Sequence, residues 1–217
     1  MLPNDPLQSS KRALDPVDRI SEVLFGLIMA LTFTGSLSVA QAGREDVRAM
    51  LVGAFGCNVA WGIIDGVFFL MGSLASKASN LTMLRALRRA SDSGSAAAAL
   101  PPPVAAMLEP ATLDAICKRL RDLPEPPQVA RLDQRDVLGA AGVFLLVFLS
   151  MFPLTLPFFF VRNPMVALRV SNAVALVMLA VAGAAYGRLV RRSMWGFGVG
   201  MVVLGGLLVA LAIALGG

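Results

Sequence analysis

Five apolar blocks divide the chain, at about 21–42, 50–74, 137–161, 165–187 and 195–215, and within each the apolar positions run continuously rather than in a stripe. A stripe recurring every third or fourth residue marks a helix with one wet face; a block that is apolar all round marks a helix surrounded by protein or lipid. Each block reaches the roughly 20 residues that an α-helix needs to cross a bilayer, where only a helix satisfies its own backbone N–H and C=O groups. The pattern therefore predicts an all-α integral membrane protein with five transmembrane helices and its termini on opposite sides. It divides the chain into an N-terminal segment, 1–20, helices one and two within 21–75, a connection, 76–136, and helices three to five within 137–217. The opening "MLPNDPLQSSKRALDPVDRI" is too polar to hold the apolar core of a cleavable signal peptide, so the first helix is expected to remain in the mature protein.

The pattern changes in 76–136, where two amphipathic helices are expected. One, at about 80–90, sets Leu81, Leu84 and Leu87 against Arg85, Arg88 and Arg89; the other, at about 112–123, aligns Leu113, Ile116 and Leu120. Between them "SDSGSAAAALPPP" reads as a flexible linker, and "PEPP" ends the second helix. Two uses are open for this insert: its helices lie along lipid headgroups with the arginines outward, or they form a cytoplasmic domain that handles a ligand. Its acids, Asp92, Glu109, Asp114, Asp122, Glu125, Asp133 and Asp136, include no Glu pair at helical i, i+3 or i+4 spacing, so it offers few oxygen cages for a hard cation.

Composition agrees with the block pattern: 57% of the residues are hydrophobic, and the mean hydropathy is +0.73. The net charge of +5 reflects topology. With the N-terminus in the cytoplasm, fifteen of the 19 Lys and Arg residues fall inside and only Arg44, Arg48, Arg162 and Arg169 outside, the asymmetry that orients membrane helices. The same distribution directs the basic residues to anionic headgroups and not to nucleic acid. Cys57 and Cys117 fall in different compartments, which excludes a disulfide between them, and with no His or CxxC spacing there is no zinc signature. No nucleophile elbow or phosphate-binding glycine loop is present, so an enzyme is not expected. The compact chain and the lack of an organelle-targeting segment point to a bacterial inner membrane, with the C-terminus on the far side.

Polar groups within the apolar blocks are the candidate chemistry. "WGIIDGVFFLMG" places Asp65 about ten residues from the cytoplasmic end of helix two, roughly 15 Å deep. An Asp at mid-membrane costs about 2.5–3.5 kcal/mol on insertion scales, so it faces the bundle, pairs, or marks an ion or proton path; a helix-pinning hydrogen bond is the structural alternative. Asn58, Trp61 and Asp65 share one face at i, i+3 and i+7. Asn172 in helix four reaches similar depth, with Arg169 one turn shallower. In helix one, Glu22 stands at the cytoplasmic mouth with Met29 two turns deeper on the same face, and Thr32 supplies a hydroxyl. Counted from the helix ends, Met29 and Asp65 are level, and a thioether facing a carboxylate suits Fe2+ or Mn2+ better than Mg2+ or Ca2+; Met29 as core filler is the alternative. The candidate metal ligands are thus Asp65, Met29 and Glu22, with Asp65, Asn58, Asn172 and Thr32 as proton-coupling or pore-lining residues. No resident cofactor is expected. Pro153 and Pro157 in "MFPLTLPFFFV" each remove an N–H and should break the outer end of helix three towards the bundle or a cavity.

Layout and residues together resemble the vacuolar iron transporter family. "EVLFGLIMALT" is similar to its first-helix pattern E-x-V-x-G-x-x-D-G-L-T at Glu22, Gly26, Leu31 and Thr32, with Leu24 for the Val; "AWGIIDGVFFLMGS" is similar to its second-helix A-G-A-x-S-M, and "FPLTLPFFF" to its P-L-x-P. The resemblance implies five helices, a cytoplasmic N-terminus, a cytoplasmic metal-binding insert, a homodimer, and export of Fe2+ or Mn2+ from the cytoplasm in exchange for protons. Departures are specific. Met29 stands where the family has its transport Asp, and Ala30 where it has Gly; Gly66 stands where it has a Met, immediately after Asp65. The prolines lie one residue further apart, and the insert lacks the family's glutamate pairs. Two readings follow: a transporter in which Asp and Met have traded helices, or a membrane interaction or scaffold protein that keeps the fold without transport.

Overall fold

The computed structural model describes residues 16–35 and 44–214, and among them every regular element is a helix: α1 (Pro16–Gly35), α2 (Arg44–Arg89), α3 (Ser93–Ala98), α4 (Pro102–Ala105), α5 (Pro110–Asp122), α6 (Gln134–Ser150), α7 (Phe152–Phe160), α8 (Pro164–Leu189) and α9 (Met194–Ala214). The chain is an all-α protein. Among the described residues three stretches are long and apolar enough to cross a membrane, Val47–Arg89, Gln134–Phe160 and Pro164–Leu189, and Met194–Leu208 is a shorter apolar helix. The described residues gather into two compact units, one of 16–35, 44–69 and 137–214, the other of 70–136.

The larger unit is a helical bundle. Its core joins Leu24, Leu27, Ala30 and Leu31 of α1, Ala54 of α2, Met151 and Leu154 around the start of α7, and Ala175 and Leu179 of α8, with Met201 of α9 packed against it. Outside this core Val52, Ile63, Phe68, Leu145, Leu149, Val177 and Val181 are exposed, the inside-out polarity of helices whose solvent is lipid. α8 and α9 approach closely because Gly183 and Gly187 lack a Cβ: one on Gly183 would meet the Phe197 carbonyl at 2.7 Å, and one on Gly187 the Ser193 carbonyl at 2.9 Å. Between them the turn closes with Arg191 at φ 55 and the Arg192 N–H on the Gly187 carbonyl at 2.8 Å, the 6→1 bond of a left-handed helix stop.

The proline-rich third block breaks for one residue only, at Met151, and resumes as α7 with Pro157 inside the helix. Hydroxyls attend the break. Ser150 Oγ donates to the Val147 carbonyl at 2.7 Å, Thr155 Oγ1 to Phe152 at 2.9 Å, and Ser171 Oγ of α8 to Leu154 at 2.6 Å. The last of these joins the start of α7 to α8, and Met151 and Leu154 at the break lie in the bundle core.

The smaller unit departs from three expectations. The amphipathic segment at 80–90 is not a separate helix but the end of α2, which runs unbroken for 46 residues; "LASKASN" contains no Gly or Pro to stop it. At ~1.5 Å per residue α2 is about 69 Å long, more than twice the ~30 Å hydrocarbon layer, so its two ends cannot both lie in lipid. The stretch expected as a flexible linker contains α3, started by a capping box in which Asp92 Oδ1 accepts from Ser95 N at 2.7 Å and Ser95 Oγ accepts from Asp92 N at 3.3 Å. Its alanines are strong helix formers, and Ala96 is fully buried. On α5 the buried stripe is Leu113, Cys117 and Leu120, with Ile116 exposed. These side chains pack on Leu87, Ala90 and Ala96, so the helices of the insert bury their apolar faces on one another.

Candidate functional site

In the bundle α2 meets α6 along a glycine seam. A Cβ on Gly62 would meet the Phe144 ring at 2.9 Å, and one on Gly66 the Ala140 carbonyl at 3.3 Å, so the two helices run antiparallel and close. α1 joins the same seam through Gly26, which lies against the Val147 backbone, where an added Cβ would come within 2.9 Å of the carbonyl. Phe25 and Trp61 then touch edge to face with ring centroids 5.6 Å apart.

These contacts set the register of α1 against α2. Glu22 lies three residues before Phe25 and Asp65 four after Trp61, so on antiparallel helices the two carboxylates are level. They are close enough for their charges to repel. Met29, four residues after Phe25, is level instead with Asn58, three before Trp61. The expectation that Met29 stands opposite Asp65 came from counting residues inward from estimated helix ends. It fails because α1 begins at Pro16 and α2 runs on to Arg89, so neither end lies where the apolar block stops.

The surroundings are unusual in what they leave unpaired. Asn58 is fully buried, and neither its Nδ2 nor its Oδ1 has a hydrogen-bond partner among the described residues; the same holds for Asp65 Oδ2 and Asn172 Oδ1. A buried polar atom without a partner costs about 1–3 kcal/mol, and native structures keep few of them without a reason. Thr32 lies on α1, but its side chain is outside the described residues. Among the described residues no three His, Cys, Asp or Glu side chains gather where they could hold a metal ion. What the arrangement offers is a level pair of carboxylates with a buried amide and a thioether two turns beyond.

Charged side chains of the insert are held by partners of two kinds, carboxylates and backbone carbonyls. Lys77 bridges Asp133, at 3.0 Å, and Asp136, which also accepts from Ser73 and, at 2.6 Å, from the Asp133 amide. The hydrogen bond from Lys77 holds the Asp133 carboxyl below the usual carboxylate range, and the Ser95 amide does the same for Asp92. Arg88 of α2 donates to the carbonyls of Leu123 at 2.9 Å and Pro124 at 3.0 Å, just past the end of α5. In return Arg121 of α5 donates to the carbonyls of Arg88, at 3.2 Å, and Ala90, at the end of α2. Each helix thus caps the other's C-terminus, where orphan carbonyls and the dipole both favour a cation. The sequence reading missed this exchange; arginines in the last turn of two consecutive helices, the second ended by "PEPP", were the available signal.

A sequence model described as the VIT family matches residues 109–217, which is 109 of the 217 residues. The match covers α5 to α9 and so includes Asn172, while Glu22, Met29, Asn58 and Asp65 precede it. No curated protein matches the chain.

Proposed function

The chain belongs to the VIT family, a family of membrane metal-ion transporters, and from that premise we propose that it carries Fe2+ or Mn2+ across a membrane, out of the cytoplasm and against a return flow of protons. The observation that carries the reading is the level pair Glu22 and Asp65, set beside buried polar atoms of Asn58 and Asp65 that find no partner among the described residues. Two like charges facing each other at low dielectric repel strongly. A proton or a divalent cation relieves that repulsion, and competition between them for one pair is the elementary form of exchange.

In this reading Glu22 and Asp65 form the entry site, and Met29 with Asn58 forms the next station two turns deeper. Carboxylate followed by thioether and amide favours a borderline-soft cation such as Fe2+ or Mn2+ over Mg2+. Asn172 and Thr32 line the remainder of the path. The fivefold crossing adds α1 and α9 to the three long apolar stretches, with the N-terminus cytoplasmic, the C-terminus on the far side, and 76–136 as a cytoplasmic insert. The membrane is a bacterial inner membrane, and the working unit is a homodimer.

One observation favours the second reading, a scaffold that keeps the fold without transport: among the described residues no three His, Cys, Asp or Glu side chains gather where they could hold a metal ion. Uptake of Fe2+ and Mn2+ into proteoliposomes, with a pH-sensitive dye for counter-flow, separates the two. Transport predicts metal flux that falls in Asp65→Asn, Glu22→Gln and Met29→Ala; a well-folded protein with no flux of either metal is a scaffold. Flux indifferent to all three substitutions removes the site while leaving transport.

A further inference from the structure

The insert contains a cavity of about 720 Å3 whose wall includes Arg85, Arg88, Arg89 and Arg121 with a single acid, Glu125. We propose that this cavity binds a phosphate monoester carried on a small polar body. The charge balance argues for an anion. Four guanidiniums against one carboxylate leave three positive charges in excess. The C-termini of α2 and α5 converge here and subtract roughly half a charge each, so about two positive charges remain, the complement of one phosphate dianion.

The arginines are also held in position before any ligand arrives. Arg88 and Arg121 are fixed by the carbonyls they cap, and Arg85 by the Pro127 carbonyl; those acceptors are neutral and leave the guanidinium charge uncompensated. Arg89 lies four residues after Arg85 on the same face of α2 and completes the wall. Fixed planar guanidiniums are the side chains best matched to phosphate oxygens. Size and lining narrow the ligand. The volume falls within the roughly 300–1,000 Å3 of organic-ligand sites, well beyond a bare phosphate. No aromatic side chain is among the described residues lining it, so a nucleobase has nothing to stack on, while Thr82 and Gln128 offer polar contacts to a hydroxylated body. An insert so charged repels the cations that the bundle would carry, which places this chain apart from a metal-gathering insert.

The same chemistry is presented by a soluble sugar or glycerol phosphate and by the headgroup of phosphatidic acid, and the test separates these sources. The full chain in phosphatidylcholine nanodiscs is titrated calorimetrically with inorganic phosphate and glycerol 3-phosphate, and hydrogen exchange over 82–89 and 121–128 is followed in nanodiscs with and without phosphatidic acid. Saturable binding of glycerol 3-phosphate, tighter than inorganic phosphate, identifies a soluble ligand; protection only with phosphatidic acid identifies the lipid. Arg89→Gln, which removes no capping bond, should weaken binding about tenfold, and Glu125→Gln should tighten it. Absence of saturable binding from both sources, or binding unchanged in Arg89→Gln and in Arg85→Gln/Arg89→Gln with the melting temperature preserved, overturns the proposal.

Discussion

In the insert Arg88 ends on the carbonyls that close α5, and Asp136 accepts from Ser73, Lys77 and the Asp133 amide. In the bundle Asn58, Asp65 and Asn172 keep buried polar atoms that no described residue hydrogen-bonds. The same residue type, aspartate, occupies both settings. Asp136 is buried with three donors, and its charge ties together the two chain segments that bound the insert. Asp65 has an oxygen without a partner in the part of the molecule where such an atom is most expensive. The contrast teaches that a buried charge is read by its partners: a satisfied one holds the fold, and an unsatisfied one among apolar helices leaves an oxygen open to a proton or cation, the role we propose for Asp65.

Replacing the acids of the bundle tests that contrast most severely. Glu22→Gln with Asp65→Asn should lower metal flux on the order of a hundredfold, since each removes a charged ligand worth about 1.5–3 kcal/mol, while the melting temperature stays the same or rises because a buried like-charge pair is gone. A loss of stability in this double variant would break the comparison by making Asp65 another Asp136.

The converse substitution comes next in size. Asp136→Ala takes one of the two carboxylates from Lys77, leaves the Ser73 hydroxyl and the Asp133 amide without their acceptor, and should lower the opening free energy of the insert amides, read by hydrogen exchange, by about 3 kcal/mol. Exchange in α8 and α9 serves as the internal reference. Arg121→Ala removes the cap on the α2 C-terminus and should loosen residues 85–90 by about 1–2 kcal/mol in the same measurement; Arg88→Ala should do the same at 119–123. Protection unchanged at those carbonyl-bearing turns would show that water caps them equally well.

The smallest effect is in pH. Because Lys77 lowers the Asp133 carboxyl, the folded insert binds a proton there less readily than the unfolded chain does. The stability this contributes is complete above the ordinary carboxylate value of about 3.9 and is lost as pH falls through the lower folded value. Protection of the insert should therefore decline below about pH 4, and Lys77→Met should flatten the decline without touching the bundle.

The apolar blocks made the helical class and the membrane reading legible, and the isolated polar letters inside them, Glu22, Asn58, Asp65 and Asn172, were all visible as candidates. Register was not. Met29 paired with Asp65 on paper because both were counted from block edges, whereas the Phe25–Trp61 contact and the glycine seam along α6 set Glu22 opposite Asp65. The insert was misread for a related reason. "SDSGSAAAALPPP" has linker composition, yet its Asp and Ser form a capping box and its alanines find a surface on α5 to bury against.

Hydrophobicity and chain length are local quantities, and lipid imposes the same demand on every backbone amide, so a run of twenty apolar residues determines a helix whatever lies beside it. Which residues of two helices stand level depends on small side chains and ring contacts between segments far apart in the chain, and no single stretch contains that information. The four insert arginines that make one cavity, and the two bundle acids that make one pair, became neighbours only when the helices packed.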